Sequence, residues 1–327
     1  MFCSFTVLII TSILAADSWS KTPIITNTIN KNGVCEIFST NLLMEFGRRH
    51  QYANRIPKII HYVYKTAFIP TQYFPHVKNC MVINKDAKFV FWTDFVAYRF
   101  IINNFHNYVK LYSSYFSKSI ESLKLSDVIR YFLLYKFGGI YMDLDTGCQK
   151  PFDMVMLNGS CILSQEVHEQ TLILHNLPYL AMNSFMAAIP VHDFFKFLIG
   201  KLTMADSSNV LSQTGPFMLT KAFEAYKKLD SDKSKVLDSV ILADPYLYSP
   251  LTKEYLESRC KFQNTELKKK GCKSLSNHRQ IQKKKMEEAI AIHLFLHLGY
   301  DAGKKDIKLN DNVCKIFKNM TIIWMTN

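Results

Sequence analysis

The stretch LSDVIRYFLLYKFGGIYMDLD, residues 125–145, joins an apolar segment, a pair of glycines and a segment that ends in two aspartates. Its first half carries apolar residues at helical spacing, which predicts an amphipathic helix. Ser126 is the predicted N-cap, and Asp127 falls in the first turn, where the helix dipole favours a negative charge. Lys136 falls in the last turn, so both ends of the predicted helix are marked by suitable residues.

Two glycines separate this helix from an apolar strand. Gly138 suits the left-handed position that follows a helix, and Gly139 allows a tight turn. The strand IYMDLD, residues 140–145, follows at once. The chain therefore predicts a helix that returns directly into a buried strand.

Further strands are predicted upstream, at residues 58–64 and 88–92, where Ile, Val and aromatic residues cluster. Asp94 follows the second of them and is the predicted cap of the next helix. This alternation of strands and helices predicts an α/β fold with a mainly parallel central sheet flanked by helices. No internal repeat is found, and residues 55–327 are predicted to form a single domain.

Asp143 and Asp145 close the predicted strand with one residue between them. Alternate side chains of a strand share a face, so both carboxylates point the same way as Tyr141, with their Cα atoms roughly 7 Å apart. Two carboxylates in an apolar setting need a partner, and Mg²⁺ or Mn²⁺ would satisfy both. Ligands also bind where strands of an open α/β sheet end. The alternative is that both aspartates are turn residues before Pro151.

Asp127 and Arg130 stand three residues apart on one face of the predicted helix. They form either an ordinary salt bridge or a means of bringing an arginine to the aspartate pair. In the second case the planar guanidinium would suit a phosphate group.

The segment LSDVIRYFLLYKFGGIYMDLDTGCQKPFD, residues 125–153, resembles the sugar-nucleotide-binding region of glycosyltransferase family 32. DLDTGC is most like the inositol-phosphoceramide mannosyltransferase branch of that family. The resemblance covers about residues 55–225, with a weaker patch near 290–300. It implies a GT-A fold with a Rossmann-like nucleotide-sugar-binding core, a divalent metal, and transfer with retention of anomeric configuration. Other segments that resemble the family are IPKIIHYVYKT (56–66), FVFWTD (89–94), NSFMAAIPVHDFF (183–195) and TGPFMLTKAF (214–223).

The resemblance also implies roles for individual residues. The opening strand would hold the nucleotide base, the helix would contact the donor sugar and its phosphate, and the aspartate pair would contact the ribose or sugar and the metal. The donor-binding residues implied in this way are His61, Val63, Tyr64, Asp127, Arg130, Tyr141 and Asp143. Arg130, Asp143 and Asp145 are the predicted catalytic residues, and Asp143 and Asp145 the predicted metal ligands.

The resemblance implies a further metal ligand near the end of the chain. Residues 289–303, AIAIHLFLHLGYDAG, offer His293 and His297, and Tyr300 stands where the family often has tryptophan. The two histidines are four residues apart and would share one face of a strand. Either is a candidate ligand, and the other would then be an ordinary core residue.

The acceptor side of the site is less well marked. The candidate residues are polar side chains and turn residues within or near the matching segments, each with an ordinary structural role as the alternative. They are Glu166, Asn183, His192, Gly215 and Pro216.

The N-terminus predicts entry into the secretory pathway. Residues 1–16 are predicted to be a signal peptide, with a short signal anchor or a buried helix as alternatives. Residues 17–54 are mixed and polar and are predicted to form an arm or stem. No stretch of 18 or more apolar residues occurs, so no membrane-spanning helix is predicted.

The cysteines agree with an oxidising compartment, either the ER or Golgi lumen or the exterior. Eight are present, and seven remain once Cys3 leaves with the signal, so most would pair and one would be left over. Cys260 and Cys272 are predicted to pair at the base of a lysine-rich segment. The absence of any CxxC pair disfavours a structural zinc site. Asn158 and Asn319 each begin a glycosylation sequon.

The formal net charge of +13 is concentrated in one insertion, residues 259–285, which holds ten Lys or Arg against one Glu. This segment is predicted to be either a solvated loop and helix face or a contact with acidic headgroups at a membrane surface. Nucleic acid is disfavoured as a partner, because no interleaved aromatic or glycine-rich RNA motif accompanies the lysines.

The predicted function is transfer of a hexose from a nucleotide sugar to a hydroxyl of a glycan or glycolipid. GDP-mannose, UDP-galactose and UDP-N-acetylglucosamine all remain possible donors, and the resemblance of DLDTGC favours GDP-mannose and a lipid-linked acceptor. Two alternatives come from other classes: a secreted sugar- or nucleotide-binding protein without turnover, and an aspartate-nucleophile phosphohydrolase. The second is disfavoured because Thr146 follows the aspartate pair one position too early for that superfamily.

Overall fold

The computed structural model describes residue 49 and residues 55–66, 68–116, 121–153, 159–206, 209–231, 238–296, 309–312 and 322–324. The predictions that lie outside these residues concern the signal peptide, nearly all of the arm, both sequons and His297. Within the described ranges, no helix combines the length and the apolar composition needed to cross a bilayer.

The elements alternate along the chain as the sequence predicts. The strands are β1 Ile59–Tyr64, β2 Phe68–Pro70, β3 Lys88–Thr93, β4 Gly139–Met142, β5 Thr146–Cys148, β6 Cys161–Gln165, β7 Ala181–Ala188, β8 Ile241–Leu242, β9 Ala291–His293, β10 Leu309–Asn312 and β11 Ile322–Trp324. The helices are α1 Phe74–Ile83, α2 Asp94–Asn104, α3 Val109–Ser114, α4 Glu121–Phe137, α5 His168–Gln170 with a π-helical continuation Thr171–His175, α6 Asp193–Ile199, α7 Val210–Gln213, α8 Pro216–Ser231, α9 Pro245–Tyr248, α10 Leu256–Arg259 and α11 Glu266–Glu288.

A seven-stranded sheet in the order β11-β3-β1-β4-β7-β6-β8 forms the centre. The neighbours from β11 to β4 pair in parallel, and β7 runs antiparallel to both β4 and β6. The pairs β2–β10 and β5–β9 form two small antiparallel sheets. The predicted α/β class with a mainly parallel sheet is confirmed.

Each face of the sheet is covered by its own apolar cluster. In β4, Tyr141 belongs to the cluster that α4 covers, whereas Ile140 and Met142 belong to the cluster on the other face. The same alternation holds in β3, where Trp92 faces the α4 side and Phe91 the opposite side. Burial on both faces explains why these strands are almost continuously apolar.

Two predicted helix starts are wrong. Helix α4 begins at Glu121, so Ser126 lies inside it and does not cap it, because the preceding residues contain no helix breaker and continue the helix. Helix α2 is capped by Thr93, whose hydroxyl accepts a hydrogen bond from the backbone N–H of Val96 at 3.3 Å. Thr93 has extended backbone angles, so Asp94 is already the first helical residue and not the cap.

The two glycines after α4 adopt the predicted left-handed backbone. Gly138 has φ of 62° and Gly139 φ of 92°. A Cβ at Gly139 would lie 2.5 Å from the carbonyl oxygen of Ile59, so only glycine lets β4 approach β1 this closely.

Two disulfides join described segments. Cys80–Cys148 ties α1 to β5, and Cys260–Cys272 forms as predicted. Cys161 is buried and free. Most of the lysine-rich segment belongs to the long helix α11. Its contact with acidic headgroups stays a prediction, which co-flotation with acidic but not neutral liposomes would test.

We expect Gly139→Ala to lower the free energy of unfolding by roughly 3 kcal/mol, because the new Cβ adds a backbone clash to a strained φ. Gly200→Ala is the matched control, since its Cβ would meet no atom closer than 3.4 Å and its φ is −65°. Urea unfolding of both variants measures the difference. Equal stability of the two would contradict the assigned role of Gly139.

Candidate functional site

A cavity of about 610 Å³ opens where β1, β3 and β4 end. This is the edge of an open α/β sheet at which ligands are expected. The predicted site residues that line it are Val63, Tyr64, Asp127, Arg130, Asp143, Asp145, Asn183, Pro216 and His293.

The strand that carries the aspartate pair ends earlier than predicted. Strand β4 stops at Met142, because the chain turns there: Thr146 donates its backbone N–H to the carbonyl of Asp143 at 3.0 Å. The backbone N–H of Asp143 donates to the carbonyl of Ser184 on β7 at 2.9 Å. The two carboxylates still converge, but this turn brings them together rather than strand alternation.

Asp143, Asp145 and His293 form one cluster, in which one ligand atom from each lies within 4.8 Å of the other two. Nε2 of His293 is 3.3 Å from Oδ1 of Asp145 and 3.9 Å from Oδ2 of Asp143. The pairing of β5 with β9 places Thr146 opposite His293 and so brings the histidine to the aspartates. Strand β9 ends at His293 and Phe295 has φ of 54°, so the strand face predicted to be shared with His297 does not continue.

Asp145 and His293 are buried, Asp143 is partly exposed, and the cluster is rich in acceptors. Burial by itself lowers the pKa of His293, but the carboxylates of Asp145 and Asp143 outweigh it, and the pKa is raised above its ordinary value. Two carboxylates and an imidazole, without a thiolate, match the ligand preferences of a hard divalent cation such as Mn²⁺ or Mg²⁺. The residues present therefore fit a metal of the predicted kind.

Arg130 is buried beside this cluster, where it donates four hydrogen bonds and forms an ion pair with Asp127 at 3.2 Å. The guanidinium reaches three elements: its own helix α4, the turn after β4, and strand β7. Its acceptors are the carbonyl and hydroxyl of Ser126, a carboxylate oxygen of Asp127, a carboxylate oxygen of Asp143 and the carbonyl of Asn183. Arg130 thus holds Asp143 in place while it also lines the cavity.

Tyr141 supports the same arrangement from beneath. Its ring lies 4.4 Å under the guanidinium carbon of Arg130, and its hydroxyl donates to Oδ1 of Asp143 at 2.7 Å. The structure therefore places Tyr141 behind the aspartate, where it orients the carboxylate and is only 1% exposed.

Asp127 is the second carboxylate that Arg130 contacts. It accepts hydrogen bonds from Asn183 at 2.8 Å and from Thr214 at 3.1 Å. Burial raises the pKa of Asp127, and the guanidinium of Arg130 only partly offsets that effect. Asn183 thus reaches the site by orienting a carboxylate as well as by lining the cavity.

His61 is a correction to the predicted base-binding set. It is fully buried, and its Nε2 is 2.9 Å from the carbonyl of Gly138. Trp92 donates to its Nδ1 at 3.1 Å, which leaves Nε2 as the donor to Gly138. Burial lowers the pKa of His61 to about 4, so this ring is neutral and fixes the turn after α4.

The acceptor-side predictions divide into two groups. Asn183 and Pro216 line the cavity, and a Cβ on Gly215 would lie 3.2 Å from a carboxylate oxygen of Asp127. Glu166 and His192 do not line it. Glu166 is buried, and its carboxylate accepts a hydrogen bond from Gln170. His192 is also buried and caps α6, where its Nδ1 accepts from the N–H of Phe194 at 3.1 Å.

Several lining residues are absent from the predicted site. Lys65 and Asp94 follow β1 and β3 directly, and Tyr73, Ser126 and Ser184 are further polar residues of the lining. The position of Asp94 just after a predicted parallel strand is the signal that would have found it, since such ends meet at one edge of a sheet. The sequence prediction treated it only as a helix cap.

Comparison with known proteins agrees with this geometry. Residues 70–162 match the family described as "Glycosyltransferase sugar-binding region containing DXD motif". Inositol phosphoceramide mannosyltransferase 3 of Schizosaccharomyces pombe is 30% identical over 187 residues, which are 54% of this chain and 48% of that protein. Mannosyl phosphorylinositol ceramide synthase SUR1 of Saccharomyces cerevisiae is 29% identical over 179 residues, which are 53% and 43%.

A glycosyltransferase of Acanthamoeba polyphaga mimivirus, itself uncharacterized, is 27% identical over 216 residues, 64% of this chain and 82% of that protein. Among solved structures, the PaToxG glycosyltransferase covers 74% of this chain and 95% of its own, at 15% identity and a TM-score of 0.38, a likeness that carries no argument about the site. The chain spans about half the length of the two yeast relatives. The match of residues 70–162 to a glycosyltransferase sugar-binding region that contains the DXD motif agrees with the resemblance that the sequence predicts.

Proposed function

We propose that the chain is a metal-dependent glycosyltransferase, which moves a hexose from a nucleotide diphosphate sugar to a hydroxyl of a glycolipid or glycan. The observation that carries the proposal is the convergence of Asp143, Asp145 and His293 at the rim of a cavity large enough for such a donor. A site that binds a divalent cation suits a reaction with a diphosphate leaving group, because the cation stabilises the negative charge on that group.

Asp143, Asp145 and His293 would hold the metal, as Mn²⁺ or Mg²⁺. When bound, the cation would supply positive charge against the negative charge that grows on the leaving diphosphate. The protein positions these ligand side chains and limits their exposure to solvent. Asp145 has only 8% of its side chain exposed, and the N–H of Leu296 donates to its Oδ2 at 2.9 Å.

Positioning of Asp143 is the second contribution of the chain. Arg130 and Tyr141 both donate to its Oδ1, at 3.2 Å and 2.7 Å, which leaves Oδ2 directed toward His293. We therefore assign Arg130 a positioning role in place of the direct phosphate contact that the resemblance implies. Its positive charge still lies next to the site and favours an anionic donor.

The donor and acceptor are proposed from the relatives and the resemblance. Three relatives are named for mannosyl transfer to inositol phosphoceramide, a sphingolipid, and this favours a mannose donor over galactose or N-acetylglucosamine. Retention of anomeric configuration is what the family resemblance implies. The anomeric proton coupling of the product in NMR spectra tests it, and an inverted product would refute it.

A phosphohydrolase is the weaker alternative, because Thr146 follows the aspartate pair one position too early for that superfamily. The match of residues 70–162 to a glycosyltransferase region also disfavours it. A binding protein without turnover is the remaining alternative, and donor binding without transfer or hydrolysis would identify it.

We also propose that the chain works in the lumen of the ER or Golgi. Two disulfides between described segments support an oxidising compartment. N-glycan attachment at Asn158 or Asn319, measured by mass spectrometry of the protein from its own cells, tests this placement. A protein with reduced cysteines and no glycan would contradict it.

We expect Asp145→Asn to lower the rate of donor hydrolysis and transfer by about 100-fold or more, because the variant removes charge from the buried metal site. The assay follows nucleotide release from a panel of GDP- and UDP-sugars with Mn²⁺ or EDTA, with and without inositol phosphoceramide. EDTA should abolish release by the wild-type chain.

Asp153→Asn is the matched control, since that carboxylate is 59% exposed and pairs only with Lys58 among the described ion pairs. It should retain wild-type activity. Undiminished activity of Asp145→Asn, or of the wild-type chain in EDTA, would refute metal dependence. Absence of both binding and release for every nucleotide sugar would refute the transferase.

A further inference from the structure

Asp94 is a carboxylate of the cavity that the proposed chemistry leaves without a role. It lies directly after β3, and the strand order β3-β1-β4 separates it from Asp143 by the width of two strands. Two inter-strand spacings of about 4.8 Å put these positions roughly 10 Å apart. The cavity therefore carries a second acidic group, well away from the metal cluster.

The two directions along the sheet edge differ in what they offer a ligand. Beyond β4, the lining comes from β7 and α8, with Asn183 and Pro216. On the β1 and β3 side, the rings of Tyr64 and Tyr73 line the cavity and meet edge to face at 6.2 Å. Aromatic rings suit the stacking of a nucleobase, so the base end of a bound nucleotide belongs on the side of Asp94.

This placement also follows from the shape of the donor. In a nucleoside diphosphate the ribose separates the phosphates from the base. Phosphates bound through a metal at Asp143 and Asp145 would therefore place the base away from the metal, on the side of the cavity that Asp94 lines.

An ionised carboxylate accepts hydrogen bonds and donates none. Of the common bases, guanine alone presents two neighbouring donors on its Watson–Crick edge, the ring N1–H and the exocyclic amino group. Uracil presents one N–H between two carbonyl oxygens, and adenine and cytosine present an unprotonated ring nitrogen beside the amino group. A carboxylate at the base end therefore matches guanine in a bidentate pair and opposes the other three bases.

We propose that Asp94 recognises the guanine of a guanosine diphosphate sugar and sets the nucleotide specificity of the site. The proposal rests on the proposed transferase function and deepens it, because it chooses between the GDP- and UDP-linked donors that remain open above. The hydroxyl of Thr93, not the carboxylate of Asp94, caps α2. A carboxylate in the first turn also suits the helix dipole, so the binding measurements below must separate that structural role from recognition.

The ionisation state of Asp94 fits this role at neutral pH. Burial raises its pKa to about 6, although the ammonium group of Lys65 acts in the opposite direction. The carboxylate is therefore charged at pH 7.5, which is the condition for the binding measurements below.

The test measures binding of GDP, UDP and xanthosine diphosphate in the presence of Mn²⁺, by isothermal titration calorimetry, for the wild-type chain and Asp94→Asn. Xanthine keeps the N1–H but has a carbonyl in place of the amino group, so it is the complement of an asparagine amide. We expect the wild-type chain to bind GDP about 10- to 100-fold more tightly than the other two. Asp94→Asn should lose affinity for GDP and gain affinity for xanthosine diphosphate.

The exchange of preference separates recognition from a structural role, because a variant that merely loosened α2 would weaken all three ligands alike. Asp86→Asn, at an exposed position before β3, is the matched control and should keep the wild-type order. Equal or tighter binding of UDP by the wild-type chain, or an unchanged order in Asp94→Asn, would overturn the inference while leaving the transferase proposal intact. If no nucleoside diphosphate binds the wild-type chain with Mn²⁺, both proposals fail together.

Discussion

The buried guanidinium of Arg130 is the interaction on which the site depends. With 3% of its side chain exposed, it joins α4, the turn after β4 and strand β7 through contacts with Asp127, Asp143 and Asn183. A buried cation that lost one of these partners would be left as an uncompensated charge. The guanidinium therefore ties the carboxylates of Asp127 and Asp143 to one another and to strand β7.

The backbone near Arg130 is fixed by the close approach of β4 to β1. The left-handed glycines Gly138 and Gly139 end α4 and bring β4 against β1, and His61 fastens the carbonyl of Gly138 from within the core. The parallel order of β3, β1 and β4 then brings three chain segments to one edge of the sheet. The cluster of Asp143, Asp145 and His293 and the carboxylate of Asp94 occupy different ends of this edge. On the proposed function, the first is the phosphate side of the cavity and the second the base side.

Local sequence signals were sufficient for part of this arrangement. Apolar spacing, the paired glycines and the strand-end aspartates led correctly to α4, its left-handed end and the acidic pair, and the short loop between Cys260 and Cys272 led to their disulfide. Each of these rests on neighbours in the chain. The early start of α4 was missed because helix propensity alone does not mark a start when no breaker precedes it.

The features that the sequence left undecided or missed depend on contacts far apart in sequence. His293 reaches the aspartates only because β9 pairs with β5, and nothing in its own segment distinguishes it from His297. Packing between distant elements also places the Asn183 carbonyl against Arg130. It likewise buries His61 against the carbonyl of Gly138. Thr93 and Asp94 are both residue types that favour the N-cap position, so the sequence does not show which of them caps α2. The backbone angles of the structure assign the cap to Thr93.

The most direct measurement is pulsed EPR of Mn²⁺ added to the purified chain together with a nucleoside diphosphate. We expect one tightly bound Mn²⁺ per chain, coupled to ³¹P of the diphosphate and to a ¹⁴N of His293. The ¹⁴N coupling should be lost in His293→Ala. Bound Mn²⁺ that shows phosphorus coupling but no histidine nitrogen would contradict the ligand set formed by Asp143, Asp145 and His293. Mn²⁺ that stays free in solution would contradict the metal site itself.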